Sequence, residues 1–364
     1  MTCDIVVLPG DGVGPEVVAE GIKVLEAAGK RRGHQFSLHH DDVGGAAIDR
    51  YGTPLRSETL ERCRRAHAVL FGAVGGPKWA YTRTDVNPEQ SILALRKGLK
   101  LFANLRHVRV FPELVDAGPL KPDVIRGVDI MVVRELTGGI YFARPKRRWQ
   151  TKSGWRAVDT SRYTQQEVER ILRVGFELAR GRGKRLVSVD KANALETSRL
   201  WRETATRLAA EYPDVALEHA LVDSFAMQLI QRPQRFDTVV TENMFGDILT
   251  DEAAVLAASL GMCPSASLAS APGAGVRAFG LYEPIHGSAP DIAGKGIANP
   301  IATILSVAML LRYSLALPEE ASAVEAAVAR TLTAGKRTAD IAPKGAVALT
   351  TSQMGDAIAE ALVW

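Results

Sequence analysis

Short apolar runs alternate along this chain with longer segments of helical period. Asp4-Ile5-Val6-Val7-Leu8 is an apolar run of strand length, and Pro9-Gly10-Asp11-Gly12 closes it as a turn. Pro15 stands at a helix start, where its missing N–H costs nothing. Val18, Ile22 and Leu25 follow at i, i+4, i+7 and line one face. The same pattern predicts strands at 68–74, 128–133, 185–189 and 236–241, and helices over 166–179, 198–211, 247–259, 300–317 and 321–332. Strands alternating with helices indicate an α/β fold on a mainly parallel sheet. No repeat or long linker interrupts the pattern.

One polar segment, 143–162 (ARPKRRWQTKSGWRAVDTSR), breaks it. Lys146, Arg147 and Arg148 with Trp149 and Trp155 are residue types that nucleic-acid surfaces use, yet charge runs are more often solvated surface. A projecting hairpin, or an arm packed on a partner subunit, suits the segment better.

Composition narrows the class. The chain has 364 residues, which at roughly 150 residues per domain means two domains or one large one. With 46% hydrophobic and 24% charged residues it is not a disordered chain. Three cysteines form no disulfide framework and no metal-binding spacing, which points to a reducing cytoplasm. A net charge of +4 gives no reason to expect a nucleic-acid partner. The N-terminus enters a strand directly, without the basic and apolar regions of an export signal. The most apolar stretch, 301–311, falls short of the ~20 residues a bilayer needs and reads as a core helix, so no membrane partner is expected.

Several residue sets could carry chemistry. Gly10-Asp11-Gly12-Val13-Gly14 lies between strand and helix, as a dinucleotide-binding fingerprint would, but the third glycine position holds Pro15 and no acid ends a second strand downstream. Asp247 and Asp251 are four residues apart, so both face one side of a helix. Such a pair suits a hard divalent cation, and equally suits a helix N-terminus that favours acids. Arg96, Arg106 and Arg134 sit in apolar surroundings and have the fork geometry for carboxylates; each alone reads as an ordinary paired arginine. Lys191 follows a strand, where open α/β sheets place their sites; it is catalytic there or simply paired with Asp190.

Taken together, GDGVGPE at 10–16, GGPKW at 75–79, LRKGLKLFANLR at 95–106, RELTGGIYF at 134–142, VDKANALE at 189–196, FGDILTDEA at 245–253 and HGSAPDIAGKGIANP at 286–300 resemble the isocitrate/isopropylmalate dehydrogenases, which are metal-dependent β-decarboxylating enzymes. The resemblance runs nearly the whole chain. It implies an α/β fold that is not Rossmann, with two lobes sharing a long mixed sheet: 1–101 with 257–364 as the cofactor-binding lobe, and 102–256 as the lobe of dimerisation, metal and substrate residues and the arm. It also implies a homodimer with shared active sites.

Residue by residue, the resemblance makes Arg96, Arg106 and Arg134 the groups that hold substrate carboxylates. Asp247 and Asp251 become ligands of Mg²⁺ or Mn²⁺, with Asp223 supplied by the partner chain and also facing the substrate. Lys191, again from the partner, is the general base, and Tyr141 the general acid. Gly76, Glu89 and the loop residues His286, Gly287, Ser288, Ala289, Asp291, Ile292 and Asn299 fall on NAD-binding positions. The implied reaction passes hydride to NAD, loses CO₂ and protonates a metal-stabilised enolate.

Ile92 and Leu93, one helical turn before Arg96, point to an isopropyl side chain and hence to 3-isopropylmalate. Isocitrate enzymes carry serine and asparagine where this chain has Gln90 and Ile92, and Ile92 cannot hydrogen-bond a third carboxylate. Asp291 favours NAD over NADP by facing the ribose 2′ position. Tartrate or another β-substituted malate is the competing substrate, and a non-catalytic binding protein the competing class. His107 replaces a proline usual in the family, Ala80 replaces a common acid, and the loop 269–279 is longer than expected.

Overall fold

The computed structural model describes residues 2–79, 86–273 and 277–362. In chain order the strands are β1 (Thr2–Gly10), β2 (Gln35–His40), β3 (Ala68–Ala73), β4 (Ala103–Arg109), β5 (Asp129–Glu135), β6 (Arg147–Thr151), β7 (Gly154–Val158), β8 (Arg185–Asp190), β9 (Ala216–Leu221), β10 (Thr238–Thr241), β11 (Pro264–Leu268) and β12 (Gly280–Pro284). Ten of them form one sheet in the order β2-β1-β3-β12-β11-β4-β5-β10-β8-β9. β2, β1, β3 and β12 are parallel at one side. β5, β10, β8 and β9 are parallel at the other. Between them β11 and β4 run antiparallel to both their neighbours.

The sheet is therefore mixed but mainly parallel, as expected: six of its nine strand pairings are parallel and three antiparallel. The strands that make it mixed are the ones periodicity misses. β4 reads Ala-Asn-Leu-Arg-His-Val-Arg, and its polar Asn104 and Arg106 are buried. β11 carries Ser265 and Ser267, both buried, and each accepts from the Asn104 amide, at 2.9 and 3.1 Å. Polar side chains normally mark a solvated face, but here they pair with one another inside.

The expected helices appear with small shifts, as Gln165–Arg180, Glu196–Ala209, Ile301–Tyr313 and Pro318–Thr333. Thr164 and Glu167 form a reciprocal cap at the start of the first of these. Every residue of 301–311 is buried, so that apolar stretch is a core helix, and no helix among the described residues is long and apolar enough to cross a membrane. The helix expected over 247–259 instead runs Asn243–Ala254, capped by the Glu242 side chain on the Phe245 N–H. Asp247 is thus in the second turn, beyond the reach of the helix-end dipole, and the dipole account of the aspartate pair no longer applies.

β6 and β7 form the projecting hairpin expected at 143–162, with strands that are largely exposed. The Arg147 guanidinium lies over Trp149 and that of Arg148 over Trp155, so the basic and aromatic residues satisfy each other. The three cysteines are free and buried. His107 is occupied by an ion pair with Asp129, which Arg182 shares. Ala80 and residues 274–276 of the 269–279 loop lie outside the described residues.

Candidate active site

Three elements deliver the arginines to one place. Arg96 stands on the helix Glu89–Gly98, Arg106 on β4 and Arg134 on β5. The β4–β5 register sets Asn104 opposite Arg134, so the two arginine-bearing strands are adjacent. β10 lies beside β5, and the helix that follows it brings Asp247 and Asp251 over these arginines. Arg134 donates through Nη1 to Asp247 Oδ1, and Arg106 Nη2 reaches the same oxygen at 3.4 Å. Arg106 Nη1 lies 3.6 Å from Asp251 Oδ1. Tyr141, in the turn Gly139–Tyr141, donates from Oη to Asp247 Oδ2 at 3.0 Å. Arg96 pairs with the buried Glu283 at 3.1 Å, and its own Nε is buried without a partner among the described residues. The account of three separate, ordinary arginines is overturned: they converge on one cleft.

Burial and charge set the protonation states. Arg134 is 2% exposed, and burial, reinforced by Arg106, pushes its pKa down to about 9. Burial alone would raise Asp247, but Arg134 and Arg106 outweigh it and hold the carboxyl below its usual range. Asp251, exposed at the cleft mouth, is raised by partial desolvation, with the Asp247 charge adding to it. Tyr141 is raised by burial and then by the Asp247 charge, so its phenol keeps its proton and can serve as a donor.

Lys191 and Asp223 form a second group. β8 ends at Asp190, which is buried, accepts both Arg202 Nε and Nη2 at 2.9 Å, and also takes the Ala192 N–H. Lys191 is therefore not paired with Asp190, as the sequence allowed. Its Nζ donates to Asp223 Oδ1 at 2.7 Å, at the start of the helix Val222–Gln231. Among the described residues no three His, Cys, Asp or Glu side chains converge as a metal cage. Within this chain, Asp223 is not gathered with Asp247 and Asp251.

The residues expected to hold a dinucleotide lie where the first turn meets the 286–300 loop. Gly12 has φ +61°, and a Cβ there would sit 1.9 Å from the Ser288 carbonyl oxygen, which accepts the Val13 N–H at 2.8 Å. Gly12 thus serves close backbone approach to this loop, while Gly10 and Gly14 let the turn pack on Ala73 and Pro9. Glu89 opens its helix with Oε1 over Gly75, beside Gly76. His286 Nδ1 meets the Gly287 carbonyl, while its buried Nε2 has no partner among the described residues. Burial lowers the His286 pKa and favours the neutral ring. Ala289 and Ile292 pack on Val13 and Val17, Asp291 is exposed, and Asn299 is buried and bonded to Asp340.

Comparison with known proteins shows the family of the chain. The family model described as isocitrate/isopropylmalate dehydrogenase matches residues 4–358. The chain belongs to that family. It is 58% identical to a 3-isopropylmalate dehydrogenase of Anaeromyxobacter dehalogenans over 100% of both chains. Its identity to one of Dehalococcoides mccartyi is 56%, over 99% of both. Its fold matches an isocitrate dehydrogenase from Methylococcus capsulatus with a TM-score of 0.85 at 34% identity, over 99% of both chains. It also matches a β-decarboxylating dehydrogenase from Thermococcus kodakarensis, with a TM-score of 0.78 at 36% identity, over 99% of this chain and 96% of that one.

In this member of the isocitrate/isopropylmalate dehydrogenase family, the structure adds residues that the sequence left unmarked. Asp11, buried in the glycine turn, accepts from the N–H groups of Gly45, Ala46 and Gly75 and fixes the strand-end loops under Glu89. Glu16 accepts from Gly294 and Gly296 and ties down the 286–300 loop. Glu283 balances Arg96, and Asn243 accepts from Arg134. An acid inside a Gly-rich turn was the one available signal for Asp11. The others show only once distant segments are side by side.

Proposed function

We propose that this chain catalyses the NAD-dependent oxidative decarboxylation of 3-isopropylmalate to 4-methyl-2-oxopentanoate and CO₂, the step of that name in leucine biosynthesis, as a cytoplasmic homodimer with shared active sites. The observation that carries the reading is the convergence of Arg96, Arg106 and Arg134 on the Asp247–Asp251 helix face, beneath the helix that bears Ile92 and Leu93. The full-length relatives at 56–58% identity support the same substrate.

The donors suit the implied groups. Asp247 and Asp251 offer oxygen ligands on one helix face, and Asp251 is 67% exposed and accessible. Oxygen-only sets suit Mg²⁺ or Mn²⁺, and Asp223 of a second copy would complete the set. When bound, the cation supplies Lewis acidity toward the substrate hydroxyl and carboxylate. The orphaned His286 Nε2 and the Gly12–Ser288 approach suit an adenosine-binding loop, and NAD supplies the hydride acceptor. Asp291 stands exposed there to accept from a ribose 2′-OH.

The chain's own residues do the rest. The arginines hold both carboxylates and fix the substrate's orientation. Lys191 takes the hydroxyl proton as hydride leaves. Tyr141 returns a proton to carbon after CO₂ departs. Ile92 packs partly against the core around Leu95 and Phe71, and Leu93 is half-buried, so both present apolar surface for an isopropyl group. The two-lobed division at 1–101 with 257–364 and 102–256 belongs to this reading. So does a dimer face on the helices Val222–Gln231 and Asn243–Ala254, where Met227 and Ile248 are large, apolar and exposed.

The deciding experiment is NADH formation with a panel of β-substituted malates. 3-Isopropylmalate should exceed isocitrate and unsubstituted malate in kcat/KM, with NAD preferred to NADP. Faster turnover of isocitrate would overturn the substrate assignment. Ile92→Asn should lower 3-isopropylmalate kcat/KM by roughly ten-fold, the scale of losing one buried aliphatic contact. EDTA should remove activity, and Mg²⁺ or Mn²⁺ should restore it.

A further inference from the structure

We infer that Asn243 is a positioning residue for the substrate carboxylates: its amide occupies the back edge of the Arg134 guanidinium without cancelling its charge, and ties that arginine to the turn bearing Tyr141. The inference rests on Arg134 being a carboxylate-binding group.

Both residues are sealed from water, Asn243 at 1% and Arg134 at 2% exposure. Asn243 Oδ1 accepts from Arg134 Nε at 3.1 Å and Nη2 at 2.8 Å. Its Nδ2 donates to the Gly138 carbonyl at 3.1 Å. That bond settles which end of the amide faces the arginine, because only the nitrogen can donate to a carbonyl. Its backbone N–H donates to Tyr163 Oη at 3.0 Å, which in turn donates to Glu242. One turn further along the helix, Gly246 leaves room for the arginine stem: a Cβ there would lie 2.6 Å from Arg134 Cγ. Asn243 thus holds Arg134 on one side and, through Gly138, the segment that leads to Tyr141 on the other.

Charge explains why an amide is there. A carboxylate is the stronger and more usual partner for the fork of a buried arginine. The cleft already sets Arg96, Arg106 and Arg134 against Glu283, Asp247 and Asp251, three cations against three anions. A divalent cation and a dicarboxylate add equal and opposite charge to that balance, and Lys191 with Asp223 of a second copy, an ion pair in this structure, would add none. A further carboxylate at position 243 would add a negative charge next to Glu242 and beside the incoming dianion, in a medium where such repulsion is poorly screened. The neutral amide supplies the two acceptor contacts and leaves Arg134 its charge.

The test compares Asn243→Asp with Asn243→Ala in the full-length protein. Asn243→Asp keeps the size and the acceptor, and it should raise the KM for 3-isopropylmalate by roughly ten-fold or more, the scale of one added like charge near the substrate at intermediate screening. The KM for NAD should move less than two-fold. The dicarboxylate KM should suffer more in Asn243→Asp than in Asn243→Ala, because a purely structural role predicts the reverse. Should Asn243→Asp not fold, Asn243→Ser tests the positioning contact alone, with the dicarboxylate KM rising and the NAD KM steady. Unchanged dicarboxylate KM in a folded variant, or equal shifts in both KM values, overturns the inference alone. Absence of both turnover and dicarboxylate binding in the wild-type chain overturns the functional reading, and the inference with it.

Discussion

Lys191→Ala should abolish NADH formation even in a single turnover, whereas Tyr141→Phe should slow overall turnover and leave more of the hydride step intact. The difference follows from where the two groups sit. Lys191 is the first residue after β8, and the Asp190 carboxylate anchors that strand end through Arg202 and the Ala192 N–H. On the proposed reading, an amine held there would take a proton from a substrate oxygen in the site of a second copy. Tyr141 is held by Asp247 at 3.0 Å, and burial together with that charge keeps the phenol protonated. It is placed to give a proton, and a donor is needed only after CO₂ has left. General acid–base groups contribute on the order of 10²–10⁴ in rate. Lys191→Ala should therefore lose at least about a thousand-fold in the hydride step. Tyr141→Phe should lose about a hundred-fold overall, with a smaller loss in rapid-mixing measurements of NADH. It should also reduce a supplied 2-oxo acid intermediate more readily than it converts that intermediate to product. Loss of NADH formation in Tyr141→Phe with near-normal formation in Lys191→Ala would reverse the two roles.

Much of this site is legible in the residues, and the part that is not has a physical cause. Lys191 is marked by its place at a strand end, and the Asp247–Asp251 pair by its helical spacing. Arg106 and Arg134 are marked by charge within apolar sequence, which globular cores tolerate only when it is paired. Their partners are not legible. Asn243 stands 109 residues from Arg134, and Glu283 stands 187 from Arg96. Sequence spacing carries no trace of pairings made by a sheet that interleaves residues 264–284 with residues 68–109. The same interleaving hides β4 and β11, whose buried Asn104, Ser265 and Ser267 satisfy one another across strands. Period-two alternation identifies a strand with one wet face. It does not identify a central strand whose polar face is paired inside the protein.

Mixing two inactive variants should restore activity. Asp223→Asn and Asp247→Asn each remove one proposed cation ligand, and each homodimer should be inactive. Within this chain Asp223 is engaged by Lys191, while Asp247 is engaged by Arg134, Arg106 and Tyr141. Asp223 and Asp247 stand on helices that carry exposed Met227 and Ile248, apolar surface that a second copy would bury. If each site takes Asp223 from one copy and Asp247 from the other, a mixed dimer has one site with both lesions and one with neither. With complete random exchange half the dimers are mixed, so about a quarter of all sites should be intact, the figure that two-fold symmetry imposes. Lys191→Ala mixed with Asp247→Asn should recover to the same degree, because Lys191 and Asp223, paired in this chain, would enter a site from the same copy. Lys191→Ala mixed with Asp223→Asn should also yield one intact site only if those two residues serve different sites, so its failure to recover is the internal control. Exchange confirmed by mass or by differential tagging, with no recovery in the first two mixtures, would place all three carboxylates within a single chain and remove the basis for a shared site.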